Sequence, residues 1–153
     1  MLYYMLIALL SGLDIGIKNL IENIPDSKLP KALEIPLIKV SDKKIILYKS
    51  YNRGFPLGVL EERHKLVRCL PVFITAGLSL WLALDIKQKK SFRSKLPLSL
   101  IIAGALSNIY DRLKRGYVVD YININILPIK KLVFNLGDVS ILLGSILRAF
   151  LKR

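Results

Sequence analysis

The chain has 153 residues, enough for one domain, and 53% of them are hydrophobic. It carries 24 lysines and arginines against 11 acidic residues, a formal net charge of +13. The single cysteine, Cys69, excludes an internal disulfide framework and a cysteine-based zinc site. The basic side chains cluster between long apolar segments, which favours a membrane protein over a nucleic-acid-binding one.

Four apolar segments predict a membrane all-α fold of four transmembrane helices in a single domain covering residues 1–153. The first segment has no basic residue before its apolar part and no small-residue cleavage site, so we interpret it as a retained helix. Cys69 lies in the second segment, where we expect it to pack as a small apolar residue. The predicted helices cover about residues 1–21, 66–84, 96–111 and 135–151.

The region between the first two helices predicts a small extracytoplasmic β-element at about residues 34–58. Residues 35–40 and 45–51 are rich in β-branched and aromatic side chains, as strands are. Two glycines and a proline within 51–58 predict a loop after the second strand. A further extended segment is expected over 116–126, after the third helix, and it would present Asp120 beside the membrane.

The distribution of charge predicts the orientation of the helices. If they cross the membrane in order, the loop 87–95 and the C-terminal tail lie on the same side. That loop has five basic residues and no acidic one, so the positive-inside rule makes its side cytoplasmic. Residues 18–68 are also basic, with 11 lysines and arginines against six acidic residues, but long loops weigh less in this rule.

Three aspartates, Asp111, Asp120 and Asp138, fall within 28 residues on the opposite, extracytoplasmic side. Ionisable groups at the ends of membrane helices are costly and therefore indicate function. Two carboxylates close together share a proton, so that one can activate water while the other polarises a carbonyl group. The spacing in the sequence allows any two of the three aspartates to form such a pair.

Five motifs resemble those of the bacterial lipoprotein signal peptidase (signal peptidase II) family and occur in the same order. Residues 107–112 resemble Gly-Asn-x-x-Asp-Arg, residues 118–121 resemble Val-Val-Asp-Phe, and residues 134–138 resemble Phe-Asn-x-Ala-Asp. Residues 14–18 resemble Asp-Gln-x-x-Lys, and residues 52–58 resemble Asn-x-Gly-x-x-Phe-Gly. The chain departs from the family pattern at Ile15, Pro56, Leu57, Ala103, Ser107 and Gly137.

The resemblance implies an intramembrane aspartyl endopeptidase whose catalytic pair is Asp120 and Asp138. Its substrate would be a prolipoprotein whose cysteine carries a diacylglyceryl group, cut just before that cysteine without a metal or organic cofactor. The implied location is the bacterial cytoplasmic membrane, in contact with lipid and not with nucleic acid, with the active site near the extracytoplasmic face. By the same resemblance, the residues that shape the site are Asn52, Gly54, Asn108, Asp111, Arg112 and Asn135, with Asp14 and Lys18 supporting them.

Several residues also have simpler structural interpretations. Asp14 and Lys18 are four residues apart and can form a local ion pair at the membrane edge. Asp111 and Arg112 can anchor the end of a helix at the interface. Amide side chains such as Asn108 and Asn135 commonly join membrane helices, and Asn52 and Gly54 suit a turn.

Other functions remain open at this point. A catalytically inactive, peptidase-like membrane protein would bind only lipid or a protein partner. A proton or ion pathway would place carboxylates at several depths, whereas these lie at one face. A presenilin-type protease needs more helices, and a serine–lysine peptidase would rest on Ser11 and Lys18 alone.

Overall fold

The computed structural model describes residues 1–32, 45–54, 62–124 and 132–151. These residues form a mostly helical protein with a small antiparallel sheet. The predicted strand at 35–40 and residues 55–58 of the predicted loop lie outside the described residues. The helices are α1 (Leu2–Glu22), α2 (His64–Lys87), α3 (Phe92–Lys114) and α4 (Leu136–Leu151), and the strands are β1 (Lys31–Ala32), β2 (Ile45–Asn52), β3 (Val118–Ile124) and β4 (Val133–Phe134).

Helix α3 is the centre of the helical part, because α1, α2 and α4 all pack against it. At its contact with α4 it carries Gly104, where an added Cβ would overlap the backbone carbonyl group of Gly137. An added Cβ at Gly144, further along α4, would lie 2.7 Å from the carbonyl oxygen of Pro97. Small residues at these points let the two helix backbones approach closely, which is how helices commonly associate in membranes.

Helices α1 and α2 bury only narrow faces. In α1 the buried residues are Ile7, Asp14, Lys18 and Ile21, which recur at the spacing of a single helical stripe. These two helices are long and apolar enough to cross a membrane, with mean hydropathies of 1.5 and 1.8. The expectation that Cys69 is an interior packing residue is wrong, because Cys69 lies on the exposed side of α2.

The sheet has the strand order β1-β2-β3-β4, with every neighbouring pair antiparallel. Strand β3 confirms the extended segment predicted after the third helix. The turn before it contains Gly116 at φ 86°, a left-handed conformation in which a residue with a side chain would be strained. In the β2–β3 pairing Ser50 lies opposite Asp120 and Asn52 lies opposite Val118, so the end of β2 is held beside the aspartate.

Candidate active site

The start of α4 fixes the position of Asp138. Asn135 directly precedes the helix, and its side-chain oxygen accepts a hydrogen bond from the Asp138 N–H at 2.8 Å. In return, the Asp138 carboxylate accepts the backbone N–H of Asn135 at 3.2 Å. This reciprocal pattern is a capping box, which satisfies N–H groups that the first helical turn cannot pair internally. Asp138 is therefore held in the first turn of α4 with its carboxylate turned back toward Asn135.

Strand β3 brings Asp120 to the same place. Its side chain is buried, and it accepts a hydrogen bond from the side-chain amide of Asn135 at 2.7 Å. The Asn52 side chain makes a further hydrogen bond to Asp120. Burial, followed by the negative charge of Asp138, raises the pKa of Asp120 to about 7. Asn135 thus contacts both aspartates, and the structure brings together Asp120 and Asp138, which is one of the pairs that the spacing allowed and the pair that the family resemblance implied.

A second amide, Asn108 of α3, orients Asp138 from the other side. Its NH₂ group donates to the Asp138 carboxylate at 2.8 Å. Its side-chain oxygen accepts from the Lys18 ammonium group at 2.8 Å and from Asn135 at 3.3 Å. Because the oxygen is occupied by two donors, the NH₂ group must face the carboxylate. Asn108 is therefore a link between Lys18 and the aspartate pair.

Lys18 is fully buried and joins two further carboxylates to this network. Its ammonium group lies 2.8 Å from Asp14 and 3.2 Å from Asp111. The predicted Asp14–Lys18 ion pair is confirmed, but its position differs from the expectation, because it lies inside the helix bundle and not at an exposed edge. A buried ion pair is retained only when further groups satisfy both partners, and Ser107 does so here by bonding to both.

Asp111 is occupied by contacts within the fold. One carboxylate oxygen pairs with Arg115, and the other accepts the Val119 N–H at 3.1 Å and contacts Lys18. These bonds tie the end of α3 to the start of β3. The sequence allowed Asp111 as a member of the aspartate pair, whereas the structure turns its carboxylate toward these three partners.

Arg112 and Gly54 border the pair. The Arg112 guanidinium group donates to the Gly54 carbonyl oxygen at 2.9 Å, which links α3 to the chain just after β2. The Gly54 N–H in turn donates to the Asn52 side chain at 3.0 Å. Arg112 is buried and lies within the electrostatic influence of Asp120 and Asp138, so it contributes positive charge at the site.

A cavity of about 530 Å³ opens onto the two aspartates. Its polar end contains Asp120 and Asp138 with Asn52, Asn108 and Arg112. The rest of the wall is mainly apolar and comes from α2, α3, α4, β3 and β4, with Leu132 just before β4. Those remaining lining residues are Pro71, Ile74, Thr75, Leu78, Ile101, Ala105, Val118, Leu132, Val133, Phe134, Ile141, Leu142 and Ser145.

Two hydroxyl groups of the network were not predicted as site residues. The Ser107 hydroxyl donates to Asp14 at 2.5 Å, and the Tyr121 hydroxyl donates to the other oxygen of Asp14 at 2.8 Å. Each adjoins a predicted site residue in the sequence, Asn108 or Asp120. Ser107 stands where the family motif has glycine, and this difference is the signal in the sequence that could have pointed to a role for its hydroxyl.

Comparisons with known proteins identify the family of the chain. A family model described as "Signal peptidase (SPase) II" matches residues 6–151. The chain is 36% identical to the lipoprotein signal peptidase of Halothermothrix orenii, over 76% of this chain and 80% of that protein. It is 30% identical to the lipoprotein signal peptidase of Clostridioides difficile, over 95% of this chain and 90% of that protein.

The fold comparison matches solved structures of bacterial membrane enzymes. A solved structure of a bacterial membrane enzyme superposes with a TM-score of 0.77 and 25% sequence identity, covering 97% of this chain and 90% of that one. A second such structure gives a TM-score of 0.76 over 98% of this chain. The chain belongs to the signal peptidase II family.

Proposed function

We propose that this chain is an intramembrane aspartyl endopeptidase that removes signal peptides from diacylglyceryl-modified prolipoproteins, cutting before the lipidated cysteine. The observation that carries the proposal is the aspartate pair itself. Asp120 and Asp138 come from a strand and a helix, share contacts with Asn135 and line one cavity. The family membership and the names of the relatives support a lipoprotein signal peptidase.

The charges around the pair favour one shared proton. Among the described residues, the network contains four carboxylates (Asp14, Asp111, Asp120 and Asp138) and three cations (Lys18, Arg112 and Arg115). A single proton on one aspartate of the pair makes the network neutral, which favours that state in a buried site. The pKa of Asp120, raised to about 7, supports Asp120 as the protonated partner.

The two aspartates then have different tasks. Asp138 accepts hydrogen bonds from the Asn108 side chain and the Asn135 N–H, which favour its ionised form. Ionised Asp138 takes a proton from water as the water oxygen attacks the scissile carbonyl carbon. Protonated Asp120 donates a hydrogen bond to the carbonyl oxygen and stabilises the negative charge that develops there. When the C–N bond breaks, the leaving nitrogen receives the proton held by Asp138.

The shape of the cavity suits a lipid-modified peptide. Its polar end holds the aspartates, and its apolar wall runs along α4 as far as Ser145, which is seven residues beyond Asp138. Seven residues of helix correspond to a rise of about 10 Å. An apolar chain can therefore lie against the helices while the peptide bond before the modified cysteine reaches the aspartates.

In the same proposal, all four helices cross the bacterial cytoplasmic membrane and the site lies near its extracytoplasmic face. The support is the basic α2–α3 loop, the two apolar helices and the likeness to membrane enzyme structures. In a Cys69→Ser background, a membrane-impermeant thiol reagent added outside intact spheroplasts should label Asn23→Cys and not Lys90→Cys. The reverse labelling would contradict this orientation.

The catalytic proposal is tested with purified protein in detergent and a prolipoprotein with or without its diacylglyceryl group. Wild type should cleave the lipidated precursor, and Asp120→Asn and Asp138→Asn should each lower kcat by about a thousandfold or more while still binding it. The double variant should be scarcely worse than either single one, because the two groups act as a unit. Asp26→Asn, which changes an exposed aspartate outside the site, is the matched control and should cleave normally.

Two outcomes would contradict the proposal. Robust cleavage by a folded Asp138→Asn or Asp120→Asn variant would show that the pair is not catalytic. Binding without cleavage by the wild type, for every lipidated precursor tried, would favour a catalytically inactive peptidase-like protein.

A further inference from the structure

The Tyr121 hydroxyl joins three parts of the structure at one point. It donates to the Asp14 carboxylate on α1 at 2.8 Å and accepts the Leu136 N–H, at the start of α4, at 3.1 Å. The side chain itself is on β3 and is only 4% exposed. Burial and the neighbouring charge of Asp14 raise the pKa of Tyr121, so the hydroxyl keeps its proton and remains a donor.

This contact belongs to a series of consecutive contacts between β3 and the chain leading into α4. Ile122 pairs with Phe134 in the β3–β4 ladder. The Tyr121 hydroxyl holds the Leu136 N–H, and the Asp120 carboxylate is held by the Asn135 side chain. The hydrogen bond therefore joins Tyr121, the residue after Asp120 on the strand, to Leu136, which lies two residues before Asp138 on the helix.

Nothing within the helix can replace this bond. Leu136 is the first residue of α4, and first-turn N–H groups have no partner inside their own helix. The Asn135 cap already serves the N–H of Asp138. Removal of the Tyr121 hydroxyl would leave the partly buried Leu136 N–H and one oxygen of the buried Asp14 without this partner.

We propose that Tyr121 is a positioning residue of the peptidase: its hydroxyl anchors β3 to α1 and to the first turn of α4, and so sets the relative placement of Asp120 and Asp138. The inference rests on the proposed function, since it takes these two aspartates as the catalytic pair. The apolar wall of the cavity is separate from this contact, so the binding of the lipidated precursor does not depend on it.

The test is Tyr121→Phe, which keeps the ring and removes only the hydroxyl. A displacement of about 1 Å between reacting groups can lower a rate by up to about a hundredfold. We expect kcat for the lipidated precursor to fall by about tenfold or more while KM stays within about twofold. Tyr117→Phe is the matched control: it removes a hydroxyl that donates to Glu22, also on α1, at 3.2 Å, and it should leave both constants unchanged.

A second variant tests the bond from its other end. Leu136→Pro deletes the N–H that Tyr121 accepts, and proline is well tolerated at the first position of a helix. If the bond acts as one unit, the double variant Tyr121→Phe/Leu136→Pro has about the same kcat as the slower single variant. Independent effects would instead multiply, to about a hundredfold loss from two tenfold losses.

The outcomes separate this inference from the proposed function. An unchanged kcat in Tyr121→Phe, an equal loss in Tyr117→Phe, or multiplying effects in the double variant would overturn the role of Tyr121, while Asp120→Asn and Asp138→Asn remain inactive. Failure of the wild type to cleave any lipidated precursor would instead overturn the proposed function. If Tyr121→Phe is not recovered folded, the kcat and KM of Leu136→Pro decide the question alone.

Discussion

The hydrogen bond from Asn52 to Asp120 offers a sensitive test of the proposed protonation state. With a pKa of about 7 for Asp120, the singly protonated pair dominates below pH 7 and is lost above it. The rate constant kcat/KM should therefore fall about tenfold per pH unit on the alkaline side. Asn52 favours the ionised form of Asp120, so Asn52→Ala should raise the pKa of Asp120 further and shift the alkaline limb to higher pH.

The size of the shift follows from the bond that is lost. A hydrogen bond to a charged group contributes about 1.5–3 kcal/mol, and about 1.4 kcal/mol corresponds to one pH unit. We expect the limb to move by about one to two units, so that at pH 8 the variant keeps about half or more of its plateau kcat/KM while wild type keeps about a tenth.

The assay is kcat/KM for a fluorescent lipidated peptide in detergent between pH 5 and 9. Tyr51→Phe, a change at the neighbouring residue of β2, is the control and should leave the limb in place. A limb that stays fixed in Asn52→Ala, or that moves to lower pH, would refute protonated Asp120 as the group responsible.

Three further predictions concern the surrounding network. Lys18→Met should lower stability by about 3–5 kcal/mol, measured by thermal unfolding in detergent, because Asp14 and Asp111 lose their shared cation; an unchanged melting temperature would contradict the buried network. Gly104→Ala should destabilise the protein by about 1–3 kcal/mol by forcing α3 and α4 apart, whereas Gly77→Ala, which meets nothing within 4 Å, should not. Asp111→Asn should retain part of the activity and lose stability; complete loss of turnover in a well-folded variant would mean that Asp111 takes part in the chemistry.

The helices were the most predictable part of the fold, because long apolar segments carry their own signal. Their ends were less predictable. Helix α2 begins at His64 and α3 at Phe92, a few residues before the apolar segments, because the polar residues next to an apolar segment can also be helical. The pairing of β2 with β3 was not foreseen, since β3 was predicted only as an extended segment. The exposure of Cys69 could not be predicted from composition, because an apolar sequence does not reveal which side of its helix is covered by other parts of the protein.

The site was predictable in its members and less so in its connections. Sequence spacing placed Asp120 near the start of α4, and family resemblance selected Asp138 as its partner. The inward position of Lys18 depends on α1 packing against α3, a contact between residues about ninety positions apart. The role of Tyr121 was not predictable for a similar reason, because one partner of its hydroxyl, Asp14 on α1, lies 107 positions away in the sequence.

Two hydrogen bonds of the Asn135 side chain connect the start of α4 with the aspartate on β3. The same amide group caps α4 and holds the Asp120 carboxylate, so the complete set of Asn135 contacts forms only when α4 and β3 are both in place. A chain that is still being synthesised, and lacks α4, has only one aspartate of the proposed pair. In the proposed mechanism, such a chain would not cleave its substrate until α4 is in place.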